Sequence, residues 1–315
     1  MEARPATWKT LLAFAIIYFV WGSTFLAIRV GVREVPPFLL AAMRFFFAGI
    51  VLYVWTRARG TPSATVREWR SAIFLAVLIF VFDYGLLFWA EQRVPSGIAA
   101  VMMALIPVFM TLAEIIFLRT QRLTLRLALA LLVGLAGVGV LVSRSLGIGG
   151  EVINLTGAGA LAIGAISWSV ASILTRKLPL PAVKTMSSAA QMVAGGVLLA
   201  VTALALGEFR GFNIRAVSLE AWFALLYLIV FGSIIGFTAY VWLLNHESPT
   251  KVGTYAYVNP VVAVAVGHFL GGESIQARTI VGTALVLVSV VVITTTRPAK
   301  NTAQLPRKAQ EVSES

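Results

Sequence analysis

Side chains able to do chemistry are scarce in the apolar parts of this sequence: Arg44, Asp83, Glu114 and, at a margin, His268. An ionisable group in hydrocarbon costs roughly 2.5–3.5 kcal/mol on insertion scales and normally faces a cavity or a partner. Asp83 lies about ten residues into its run, too deep for either end to be reached easily. It carries a proton or meets a ligand's ammonium group, or it is a neutral carboxyl bonded to a neighbouring helix. Arg44 lies seven residues past Pro37, about 10 Å along a helix. It neutralises a carboxylate, or, the weightier reading, it snorkels or pairs with Glu34 and helix-end carbonyls. Glu114, with Arg119 and Arg122 close by, reads as a surface ion pair, and His268 as a satisfied core residue.

Aromatic residues form a second set. Tyr84 and Phe88 are spaced i,i+4, Phe237 and Tyr240 i,i+3, and Tyr255 and Asn259 i,i+4, so each pair shares a helix face. Such stripes usually pack, but a tyrosine hydroxyl far from bulk water needs a partner, which points Tyr84 and Tyr255 toward a cavity. Pro107 and Pro260 each fall mid-run, remove a backbone hydrogen bond and read as hinges. The expected substrate site is lined by Trp21, Tyr84, Phe88, Trp168, Tyr240, Tyr255 and Asn259. Asp83 is its proton-coupling candidate and Arg44 its candidate carboxylate contact. No metal or cofactor is expected: cysteine is absent and His246 and His268 are the only histidines.

The elements that must position these residues are apolar. Of 315 residues 59% are hydrophobic and 12% charged, with a mean hydropathy of +0.91, against about one quarter charged in a soluble domain. Ten apolar runs of roughly 17–24 residues divide the chain, each enough to cross ~30 Å of hydrocarbon as a helix. The first is too long for a secretion signal and lacks a cleavage pattern, so it reads as a retained span. The polar tail 297–315 reads as disordered. Seventeen lysines and arginines fall on one side of the alternation and seven on the other. The richer side is expected to be the cytoplasm and to hold both termini, 1–9 and 297–315. The net charge of +12 is scattered over short loops, so no nucleic-acid partner is expected.

The halves repeat. Trp89 to Pro107 and Trp242 to Pro260 are both spacings of 18, related by an offset of 153. An offset of 147 aligns Trp21 with Trp168, Ala42-Met43-Arg44 with Ala189-Ala190-Gln191, and Ala48-Gly49 with Gly195-Gly196. The expected fold is an all-α integral membrane protein of ten transmembrane helices, built as two five-helix repeats over 10–145 and 152–296. Five is odd, so the second repeat enters the membrane inverted, and two such halves can exchange shapes that open a shared site to either side.

Trp21-Gly22-Ser23-Thr24-Phe25-Leu26-Ala27-Ile28-Arg29, Arg44-Phe45 and Val94-Pro95-Ser96-Gly97-Ile98-Ala99-Ala100 resemble motifs of the EamA family of the drug/metabolite transporter superfamily. Gly271-Gly272-Glu273 and Tyr255-Ala256-Tyr257-Val258-Asn259-Pro260-Val261-Val262-Ala263 extend the resemblance, which covers about residues 10–296. The first repeat departs from the pattern with Arg119-Thr120-Gln121 where the family usually carries a glutamate. The resemblance implies two five-helix repeats, an inner-membrane location and export of small metabolites from a central cavity. No nucleotide-binding loop of the Gly-x-x-x-x-Gly-Lys-Ser/Thr kind occurs, so ATP-driven pumping by this chain alone is not expected. A secondary transporter of amino acids or similar amphipathic solutes, proton-coupled and acting as monomer or homodimer, is the leading expectation. A passive channel and an intramembrane enzyme are the alternatives, and neither a filter-like loop nor a catalytic motif speaks for them.

Overall fold

The computed structural model describes residues 7–113, 115, 123–142, 154–175, 177–247, 252 and 254–295. Glu114, Arg119, Arg122 and the tail 297–315 lie outside them. The described residues are helical and contain no strand. In chain order the helices are α1 (Thr7–Gly31), α2 (Pro37–Ala58), α3 (Val66–Glu91) and α4, in two segments Ser96–Met103 and Ile106–Ala113. Then come α5 (Leu125–Val142), α6 (Leu155–Thr175) and α7 (Lys184–Ala205). Next, α8 runs through Leu219–Tyr227, Leu228–Ile235 and Gly236–His246, followed by α9 (Tyr255–Phe269) and α10 (Ala277–Thr295). Seven helices, α1–α4 and α6–α8, are long and apolar enough to cross a membrane, while α5 and α10 hold shorter apolar stretches. The bundle is clothed in exposed Phe19, Phe47, Ile163, Val201 and Phe223. A water-soluble protein would bury such residues; here hydrocarbon is their solvent.

Local chemistry sets the helix starts. Thr65 opens α3 with a capping box, accepting from Glu68 N at 3.3 Å while Glu68 Oε2 accepts from Thr65 N at 2.7 Å, which satisfies two orphan donors. Pro37 begins α2, where its fixed φ costs nothing. Glu208, from the loop after α7, accepts from Phe38 N and Leu39 N at 3.3 and 2.9 Å. Burial pushes the Glu208 carboxyl up, and these two bonds oppose the shift. Glu34 accepts from Ser218 N and Oγ at 2.6 and 2.7 Å, and that pair of bonds holds its carboxyl below the usual range. Glu34 is thereby committed to the start of α8 rather than to Arg44.

Packing runs across the two halves of the chain. α2 lies along α7 and α5 along α10, α1 packs on α8 and α9, and α6 packs on α3 and α4. The small-residue faces of α4 and α9 meet: a Cβ at Gly97 would stand 3.0 Å from Val264, and one at Gly267 would stand 3.0 Å from Ser96 Oγ. The prolines behave differently. Pro107 is the second residue of the fresh segment that follows a break at Ala104-Leu105, whereas Pro260 sits within continuous α9.

Candidate functional site

Three helices widen into π-turns at the level of the candidate residues: Ile16–Val20 in α1, Val77–Gly85 in α3 and Leu228–Ile235 in α8. A π-turn inserts a residue and shifts backbone bonds to i→i+5, leaving carbonyls for other donors, and such turns gather at functional sites. Here each receives a side chain from another helix. Trp21 Nε1 donates to Gly232 O at 3.0 Å and Ser167 Oγ to Leu78 O at 2.8 Å. Asn259, with its amide turned to suit its surroundings, donates to Ile17 O, Tyr18 O and Tyr255 O at 3.2, 3.1 and 3.2 Å. Asn259 and the first π-turn therefore hold α9 against α1.

Two aromatic clusters grow from these turns. In the first, Trp21 meets Tyr240 and Tyr255 with ring centroids 5.3 and 5.1 Å apart, and the tyrosines meet edge-on at 5.9 Å. In the second, Tyr84 touches Phe45 at 4.5 Å, Phe80 at 5.9 Å and Trp168 at 5.9 Å, and Phe88 stands 6.5 Å from Phe45. Arg44 belongs to the second cluster. Its Cζ lies 4.7, 5.5 and 5.9 Å from the rings of Phe45, Tyr84 and Phe88, within cation–π range. Gly232 and Ser233 join the clusters, since Trp21 bonds the former while Arg44 Nε donates to Ser233 Oγ at 3.0 Å.

Arg44 is 3% exposed, so it does not snorkel. Its Nη1 makes no hydrogen bond, and among the described residues no carboxylate stands within ion-pair distance. Asp83 is 2% exposed, with Oδ1 unbonded and facing the bare Cα of Gly164. Nothing in this arrangement pairs a nucleophile with a base. It offers instead aromatic walls, one buried guanidinium and a buried carboxyl: the means to hold a small solute and a proton.

The structure thus brings Trp21, Tyr240 and Tyr255 together, with Asn259 bonded to Tyr255 O, and brings Tyr84 and Phe88 to Arg44, with Trp168 against Tyr84. Two cavities of about 520 and 650 Å³ open at the end of the bundle remote from Thr7, and none of these residues lines either. The clusters are closed upon themselves. His268 is exposed, its Nδ1 2.8 Å from Glu273 O, rather than a core residue. Sequence reasoning passed over Ser233 and Glu91. Ser233 is the one hydroxyl between Tyr227 and Thr238, which was the available signal. Glu91 is 0% exposed with neither carboxyl oxygen bonded; it stands one residue beyond the apolar run ending at Ala90.

A buried, nearly uncompensated polar site inside a lipid-clothed helical bundle fits a membrane transporter better than an enzyme, and known proteins agree. The profile described as EamA-like transporter family matches residues 8–143 and again 155–295. The chain is 36% identical over 286 residues to the uncharacterized inner membrane transporter YedA of Escherichia coli (strain K12), covering 90% of this chain and 89% of that one. It is 26% identical over 297 residues to the WAT1-related protein At3g02690, chloroplastic, of Arabidopsis thaliana, covering 93% and 70%. A solved crystal structure of a protein 25% identical in sequence superposes with a TM-score of 0.59 over 92% of this chain and 96% of that one. With both halves matched and a relative above one third identical along nearly its whole length, this chain is a member of the EamA-like transporter family.

Proposed function

We propose that this protein is a secondary transporter of the inner membrane that exports small amphipathic organic solutes by alternating access, driven by proton exchange. The observation that carries the reading is the meeting of both aromatic clusters, Arg44 and three π-turned helices where the halves of the chain adjoin. Ten spans in two inverted five-helix repeats supply the motion. Support comes from the doubled family match and from paired contacts: α1 on α8 and α9 answers α6 on α3 and α4. The bonds into the π-turns answer each other likewise, Trp21 of α1 reaching α8 and Ser167 of α6 reaching α3. Rocking one repeat on the other would part the clusters and open the site to one side at a time. Aromatic walls with few polar groups suit an amino acid or a heterocycle and suit a phosphate-rich solute poorly.

Counterflow of labelled solute in proteoliposomes, with solutes chosen by comparing export profiles of cells with and without the chain, tests the transport itself. A conductance that does not saturate and shows no counterflow would make the protein a channel. Coupling is tested by two variants. Asp83→Asn is expected to uncouple transport from the pH gradient while exchange continues, and Glu91→Gln to keep the wild-type pH dependence. The reverse pattern would move the proton site to Glu91, and wild-type pH dependence in both variants would remove it from either carboxyl.

Orientation has its own test. With both termini cytoplasmic, as the lysine and arginine bias argues, a reporter active only in the periplasm and fused after Thr302 stays silent. Activity there would reverse the topology or change the number of spans.

A further inference from the structure

One cluster remains outside the site, at the end of the bundle remote from Thr7. Glu273, in the connection from α9 to α10, reaches across to the first half of the chain. Its Oε1 accepts from Ser96 N at 2.8 Å and Ser96 Oγ at 2.7 Å, and its Oε2 accepts from Gly97 N at 3.2 Å, so it caps α4. The same Oε1 lies 3.3 Å from Arg29 Nε of α1. Arg29 is fixed in turn, donating through Nη1 to Glu91 O at 2.8 Å and Val94 O at 2.6 Å. The backbone of Glu273 is tied as well, N to Gly267 O at 2.9 Å and O to His268 Nδ1 at 2.8 Å. Gly267 clears the way: a Cβ there would stand 2.6 Å from Glu273 Oε2. Charge-assisted bonds of this kind are about twice as strong as neutral ones.

The offset of 153 gives this cluster a sequence counterpart in the other half. Glu273 corresponds to Thr120 and Ser96 to Pro249. Threonine brings no charge, and proline has no N–H to donate. The charged acceptor and one of its backbone donors are thus missing from the related positions of the sequence. We infer that Arg29, Glu273 and the start of α4, which line the vestibule of about 520 Å³ at this end while no residue of the aromatic clusters does, form a one-sided gate that keeps the clusters shut off from this vestibule at rest, leaving the end that holds Thr7 as the loading side. The inference rests on the inverted-repeat transporter reading. If the termini are cytoplasmic, the loading side is the cytoplasm, and the gate suits export.

The test reads conformation rather than transport. The chain lacks cysteine, so Arg33→Cys and Ile275→Cys, on exposed residues of the two connections at this end, accept spin labels without background. Distances between them in the reconstituted full chain are expected to show one dominant short population. Glu273→Gln should raise the ratio of long to short distances about ten-fold, the effect of losing charged hydrogen bonds. Ser96→Ala, which removes a single hydroxyl, should raise it less, and it keeps the test valid should Glu273→Gln fold poorly. A wild type already dominated by long distances, or distributions unchanged in both variants, overturns the gate. Saturable counterflow persisting in that case would leave the transporter reading in place, and absent counterflow beside a distance shift would count against that reading alone.

Discussion

Arg44→Met is expected to lower transport by about ten- to a hundred-fold while leaving the protein no less heat-stable than wild type, because a charged hydrogen bond to solute is worth about 1.5–3 kcal/mol. The two halves of this expectation have separate causes. In the closed site the Arg44 guanidinium has one hydrogen bond, to Ser233, and three aromatic neighbours, but no carboxylate. Desolvating a charge without a counter-ion costs several kcal/mol, which three cation–π pairs at about 0.5–2 kcal/mol each and one hydrogen bond do no more than offset. Methionine fills similar space without that cost, so unfolding temperature in detergent should hold or rise. On the proposed function a solute carboxylate would be the partner that Arg44 lacks, and removing the guanidinium would remove its anchor. Counterflow and thermal unfolding measured on the same preparation decide the matter. If Arg44→Met transports normally, Arg44 binds no solute; if it unfolds earlier in step with its loss of transport, the residue is structural.

Much of this site is written in local spacing, and the rest depends on distant partners. The i,i+4 pair Tyr84 and Phe88 and the matched Trp21 and Trp168 are visible in one dimension because helical period is local. The structure sets Tyr84 and Phe88 against the same Phe45, Trp168 against Tyr84, and Trp21 in the neighbouring cluster. The π-turns are not visible in that way. Val77–Gly85 is an apolar run like any other; what holds its widened backbone is Ser167, whose hydroxyl reaches Leu78 O from a residue 89 positions away. Arg44 shows the same limit. Its depth in α2 follows from sequence, but snorkelling or burial turns on Ser233, 189 positions away. Glu91 escaped because the edge of an apolar run is no guide to which way a carboxyl at the edge points. Glu273 stood out within a motif, while its work as a cap on α4 required the fold.

A close backbone-to-backbone approach of α2 and α7 gives the other large effect: Gly49→Ala and Gly196→Ala should each destabilise the protein by about 1–3 kcal/mol, the usual cost of overpacking. A Cβ on Gly49 would stand 2.7 Å from Val193 N, and one on Gly196 would stand 2.6 Å from both Phe46 N and Cα. These obstacles are backbone atoms, so no side chain can turn aside; α2 and α7 must separate, losing the contact that small residues permit in membranes. The offset of 147 carries Gly49 to Gly196 and Phe46 to Val193, so on the proposed repeat one contact answers the other. Both substitutions should therefore act alike, and the double variant should exceed either alone. Gly139 and Gly159 are the controls, since a Cβ at either meets nothing within 4 Å. Alanine there should be neutral or stabilise by about 0.5–1 kcal/mol through helix propensity. Thermal or denaturant unfolding of the four single variants in one detergent separates packing from propensity. Equal stability of Gly196→Ala and Gly159→Ala would mean that α2 and α7 do not meet at these glycines.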